Sequence, residues 1–150
     1  MLQPVGFVRG GRDTPIDDDW AASRARLELD QSRFTPDALA GLAEFSHAEV
    51  VFLFDRVGQD EIEIGSRRPR GRADWPLVGI FAQRGKNRPN RIGVSICGII
   101  GVDGLIVEVE GLDAIDGTPI LDIKPVMAGF LPRDEVREPA WARELMRDYW

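Results

Sequence analysis

The sequence predicts an all-β fold: a small antiparallel β-barrel with one short internal helix and a further helix near its C-terminal end. Three observations predict it. Short apolar or alternating runs recur along most of the 150 residues, turn signals divide the later runs, and only two stretches carry helical spacing. "PVGFVRG" and "RARLELD" alternate apolar and polar residues, as half-buried strands do. "TPDALAGLAEF" follows, with Thr35 placed to cap, Pro36 suited to a first helical turn, and Leu39, Leu42 and Phe45 at helical spacing. It is read as the internal helix. "HAEVVFLFD" is a continuous apolar run suited to a strand covered on both faces. From Leu77 onward "LVGIFA", "VSICGIIG", "LIVEVEG" and "PILDIKP" read as further strands. Asp103-Gly104 and Asp116-Gly117 supply the positive φ that tight hairpin turns require. Past Pro125, "REPAWARELMRDYW" sets Trp141, Leu145 and Tyr149 four apart, a helix of about three turns whose aromatic stripe needs a surface to pack on. The expected division is a barrel over residues 1–128 and a helical tail over 129–150, packed on that barrel or on a partner subunit.

Hydrophobic residues make up 43% and charged residues 29% of the chain, a composition of one globular domain. No apolar run approaches the roughly 20 residues that span a bilayer. The start "MLQPVGFVRGG" lacks a signal-peptide pattern, and Cys97 has no second cysteine to pair with, so a cytoplasmic location is expected. One cysteine and one histidine do not make a zinc site of the familiar kind, and no metal is expected. His47 reads as a hydrogen-bonded structural imidazole and Cys97 as a small core residue. Nucleophile-elbow, phosphate-loop and dinucleotide-binding patterns are absent.

The net charge is −6, yet the span from Arg67 to Arg91 holds eight cations against the single acid Asp74. Within it, "RGKNRPNRIGVS" joins a stiffening Pro89 to the amides of Asn87 and Asn90 and the planar forks of Arg84 and Arg88, donors that suit an anion. A second stretch, "VEGLDAIDGTPILDIKP", sets Glu110, Asp113, Asp116 and Asp122 among apolar and turn residues. Carboxylates there either accept from ribose hydroxyls or an ammonium group, or cap turns. Together the two stretches suit a small zwitterionic ligand with a ribose and do not name one.

These two stretches also carry a resemblance. "GIFAQRGKNRPNRIGVS" resembles the G-[IV]-F-A-[TQ]-R…R-P-N-x-I-G-x-S signature, and "GLDAIDGTPILDIKP" the G-x-D-x-x-D-G-T-P-[VI]-x-D-I-K-P signature, of the TsaA-like family. "PVGFVR" and "LAGLAEFSHAEVVFLF" agree in order and spacing, so the likeness covers roughly residues 4 to 125. The characterised, TrmO-type branch methylates N6-threonylcarbamoyladenosine beside the anticodon of tRNA. The resemblance implies a small barrel that binds S-adenosylmethionine, a homodimer, and tRNA as a partner. It implies cofactor contacts at Arg84, Val94, Glu110, Gly111, Leu112 and Asp113, and at Asp55 and Arg56. Asp19 and Trp20, expected to contact the cofactor by accepting hydrogen bonds and by stacking, stand in "PIDDDW", where many relatives carry a P-R-Q element, and Asp55 stands where many have histidine. Arg88, Asn90, Arg91 and Lys124 are the candidate substrate contacts, and Asp116 or Asp122 the candidate general base. The tRNA-modifying relatives usually carry a further C-terminal domain, which this sequence is expected to lack. Two other functions stay open: methylation of a small-molecule acceptor, and binding of S-adenosylmethionine without catalysis.

Overall fold

Val8, Leu27, Val50, Val107 and Val109 are fully enclosed, and each sits between residues that are exposed or half-exposed. This period-two alternation turns one face of every strand inward. The computed structural model describes residues 1–150. Its strands are β1 (Gly6–Arg9), β2 (Arg24–Leu29), β3 (His47–Leu53), β4 (Ser66–Arg67), β5 (Val78–Gly79), β6 (Ile92–Asp103), β7 (Ile106–Glu110) and β8 (Pro119–Pro125), followed by helix α1 (Ala140–Leu145). Six of them close an antiparallel barrel in the order β1-β2-β7-β6-β3-β8, with β8 returning to β1. Strands β4 and β5 form a separate two-stranded ribbon.

The β6–β7 connection is the expected hairpin, with Gly104 at φ 59°. The Asp116-Gly117 pair is also a turn, Gly117 having φ 85°, but it closes no hairpin. β7 pairs with β2 and β6, and β8 with β1 and β3, so residues 111–118 cross the mouth of the barrel. Register shifts between Val51 and Phe52 on β3 and between Ile99 and Gly101 on β6 mark bulges that help so small a sheet to curl shut.

Four local expectations are corrected. The stretch 35–45 is two 3₁₀ turns, Pro36–Leu39 and Leu42–Glu44, because Gly41 between them takes φ 85° and breaks the helical path. "HAEVVFLFD" is not covered on both faces: Ala48, Val50 and Phe52 point inward while Glu49, Val51 and Leu53 stay half-exposed, since a closed barrel has one interior. "LVGIFA" yields only β5, and Ile80–Ala82 form a 3₁₀ turn that buries Ile80 and leaves Phe81 exposed. The tail helix is six residues long, and Tyr149 lies beyond it.

The wall tolerates no side chain at Gly6. A Cβ there would lie 2.2 Å from the Glu28 carbonyl oxygen on the paired strand, a backbone atom that moves only with the strand. Gly6→Ala is expected to destabilise the fold by about 2–3 kcal/mol. The measurement is urea unfolding, with a lower midpoint at an unchanged slope.

Candidate functional site

In an antiparallel barrel of this order, the ends of β1, β3 and β7 and the starts of β2, β6 and β8 share one mouth. Most of the residues singled out in the sequence lie in the loops of that mouth. Hydrogen bonds join those loops directly. The Asp116 N–H donates to the Arg12 carbonyl at 2.7 Å, and the Gly10 N–H to Asp116 Oδ1 at 2.8 Å. Arg56 donates to the carbonyls of Asp13 and Asp116, both at 3.3 Å. The Gly111 N–H donates to the Ser23 carbonyl at 2.9 Å, and Gly111 has φ 79°.

Asp113 is the hub. Its Oδ2 accepts the Tyr149 hydroxyl, while its Oδ1 is enclosed with no hydrogen-bond partner. Burial, with the Asp113 carboxylate alongside, pushes the Tyr149 phenol far above its ordinary range, and Arg70 and Arg84 pull it the other way. Burial pushes the Cys97 thiol up to about 12, and the Asp113 carboxylate adds to that shift. Leu112 beside it is a core residue, 1% exposed.

The "DDDW" loop closes over this point. Asp18 takes a two-pronged contact from Arg70, at 3.2 and 2.8 Å. Asp19 adopts φ 63°, a left-handed conformation that aspartate tolerates better than most side chains. Its N–H donates to the Asp148 carbonyl and that of Trp20 to the Tyr149 carbonyl, both at 2.9 Å. Arg12 donates to the carbonyls of Asp18 and Asp19 and lies 4.4 Å above the Trp20 ring. Trp20 is 4% exposed, so one face of its indole carries Arg12 and the ring forms wall, not an open stacking platform.

The run of cations is used mainly to brace loops. Arg84 donates to the Val94 carbonyl at 2.6 Å, tying the two ends of the "RGKNRPNRIGVS" stretch together. Arg88 donates to the Gln83 carbonyl at 2.9 Å and Arg91 to the Val57 carbonyl at 2.8 Å. Arg68 donates to the Trp75 carbonyl, and Arg72 pairs with Asp74. Each guanidinium thus satisfies an acceptor that a loop would otherwise leave open. Asn90 and Asp55 are exposed.

Asp122 and Lys124 lie farther along β8, away from its start at this mouth, and Glu110 at the end of β7 is engaged with a neighbouring strand. Asp122 pairs with Lys124 along β8 and also accepts the Ile123 N–H. Glu110 pairs with Arg24 at 2.8 Å. Asp122 also borders an apolar cavity of about 400 Å³ lined by Val5, Leu29, Leu39 and Ile123. That cavity opens at the opposite end of the barrel, and Asp122 is the one candidate residue in its lining. Tyr149, Arg12 and Arg70 were not singled out as site residues. Their roles rest on pairings across 36, 6 and 52 positions of sequence, which no local pattern encodes.

A closed six-stranded barrel with carboxylates, guanidiniums and an unpartnered buried oxygen at one mouth defines a small-ligand-binding barrel. The chain belongs to the family described as tRNA-methyltransferase O N-terminal domain, which matches residues 9–130. It is 38% identical over 137 residues to the mouse (Mus musculus) tRNA (adenine(37)-N6)-methyltransferase, covering 87% of this chain and 31% of that protein. A "Probable S-adenosyl-L-methionine-binding protein" of Methanothermobacter thermautotrophicus is 33% identical, with 83% of this chain and 88% of that protein covered. The crystal structure of TrmO from Pseudomonas aeruginosa aligns with a TM-score of 0.73 at 28% identity, covering 91% of this chain and 60% of that one. The chain spans about a third of the length of the mammalian relatives it matches. No helix is long and apolar enough to cross a membrane.

Proposed function

We propose that this chain binds S-adenosylmethionine at the Asp113 mouth and transfers its methyl group to the N6 of an adenine in tRNA, with N6-threonylcarbamoyladenosine beside the anticodon as the specific acceptor. The observation that carries the reading is Asp113 Oδ1, a buried carboxylate oxygen without a partner in a setting of fixed donors and acceptors. Such an oxygen is costly until a donor reaches it. An ammonium group or a ribose hydroxyl is a donor of the right kind, so the residues present fit the cofactor.

When bound, S-adenosylmethionine supplies an electrophilic methyl group on a sulfonium. The chain's contribution is alignment. Asp113 accepts from the ligand, Asp19 and Trp20 wall it in, Arg56 and Arg84 hold the surrounding loops through backbone carbonyls, and Asp55, Val94, Glu110, Gly111 and Leu112 stand on the strand ends and loops of the same mouth. Asp116, which shares the mouth with Asp113, is favoured over Asp122 as the group that takes the proton from the acceptor amine. The loop of Arg88, Asn90 and Arg91 is offered to the nucleic acid, with Arg88 and Arg91 bracing it and the exposed Asn90 making the contact, while Lys124, paired with Asp122 farther along β8, is left out of it. The reading assigns cofactor binding to residues 1–128 with the tail 129–150 packed against them, a homodimer as the working unit, and the cytoplasm as the compartment.

The test is transfer of labelled methyl groups from S-adenosylmethionine to tRNA with and without the threonylcarbamoyl modification. Incorporation restricted to the modified tRNA is the expected result. Binding without transfer to either tRNA favours the second reading, a protein that holds S-adenosylmethionine without catalysis. That reading is supported by the similarity to the archaeal protein, whose length the chain nearly matches.

A further inference from the structure

We infer that Tyr149 is a positioning residue for Asp113, and that the C-terminal segment 148–150 is one wall of the ligand site and not merely a packed tail. The inference rests on the reading of the Asp113 mouth as the S-adenosylmethionine site.

A lone carboxylate at a loop has two equivalent oxygens and a freely turning carboxyl plane. Here the Tyr149 hydroxyl donates to Oδ2, so the carboxyl plane is fixed and Oδ1 alone is left for another donor. The hydroxyl is held in place in turn. The Tyr149 carbonyl accepts the Trp20 N–H and the Asp148 carbonyl accepts the Asp19 N–H, each at 2.9 Å. Arg12 and Arg70 fasten the 18–20 loop from the other side. The Tyr149 and Trp150 rings meet edge to face at 5.0 Å. Further back, Glu144 accepts the Trp75 indole N–H at 2.8 Å, which anchors α1 to the basic stretch. The terminal segment is thus stitched at three points to residues 19, 20 and 113, all of them candidates for the ligand. A tail that only covered apolar surface would not need its one phenol to donate to a carboxylate. Tyr149 in this role also prevents the ligand from turning Asp113 away, a preorganisation that raises affinity without a contact of its own.

The test compares Tyr149→Phe with wild type in two backgrounds, native Asp113 and Asp113→Asn, by NMR titration with S-adenosylmethionine, which reaches millimolar constants. Thermal unfolding without ligand is recorded alongside. The expected result is about a tenfold weaker binding from Tyr149→Phe when Asp113 is present and about no further loss when it is Asn. A purely structural tyrosine would lower the unfolding temperature and weaken binding equally in both backgrounds, and this would overturn the inference. So would unchanged affinity in the native background. Tighter binding by Tyr149→Phe would show that the segment competes with the ligand, and would also overturn it. Failure of the wild-type protein to bind S-adenosylmethionine would instead overturn the underlying reading, a distinct outcome.

Discussion

Asp113→Ala is expected to weaken S-adenosylmethionine binding about a hundredfold or more, a loss of about 2.7 kcal/mol, while the barrel stays folded. The size follows from the setting. Oδ1 is enclosed and unpartnered, so a ligand donor that reaches it makes a charge-assisted bond away from water, and truncating one side of such a bond leaves the other side unpaired. Stability changes much less, because Asp113 lies on the crossing segment after β7 and the enclosed core residues on either side of it, Leu112 and Ala114, are kept. Isothermal titration reads the affinity and thermal unfolding the fold. A change in affinity below about threefold, well under 1 kcal/mol, would exclude Asp113 from the site.

The largest effect on stability is expected from Phe52→Ala, a loss of about 3–5 kcal/mol. Phe52 is 2% exposed and meets Phe54 edge to face, with ring centroids 5.3 Å apart. Its ring also lies where any Cβ on residue 93 would stand, 2.4 Å away, so β6 keeps a glycine opposite it. Removing the ring leaves a cavity that neighbouring strands locked in a closed barrel can fill only in part. For a domain of this size the unfolding temperature should fall by about 10 °C or more. Calorimetry checks it, and Phe52→Leu should recover part of the loss.

The barrel was legible in the sequence because several wall strands write their inner face at period two, as Val8 does on β1, Ala25 and Leu27 on β2, and Val107 and Val109 on β7, and because Asp103-Gly104 marks its hairpin. The site was legible only as two motifs. Which of their residues meet depends on contacts that skip along the chain. Asp113 and Tyr149 pair across 36 positions, and the order of the barrel, not the spacing of the motifs, brings loops 10–20, 54–56 and 111–118 to one mouth. Two local readings failed for related reasons. Gly41 carries a positive φ that overrode helical spacing on either side of it. The cations of "RGKNRPNRIGVS" suited a free anion-binding array, and Arg84, Arg88 and Arg91 instead satisfy backbone carbonyls, a use invisible until the loops that need it are placed. The tail's aromatic spacing gave no sign that the Tyr149 hydroxyl would find a carboxylate.

The most direct measurement of the central claim is a backbone and indole NMR titration of the wild-type protein with S-adenosylmethionine, followed residue by residue. Saturable shifts at Trp20, Gly111, Leu112 and Asp113, with Leu39 and Leu42 at the opposite end of the barrel unmoved, are the predicted result. Absence of saturable binding, or shifts confined to the apolar cavity lined by Leu39, Leu29 and Val5, would contradict it.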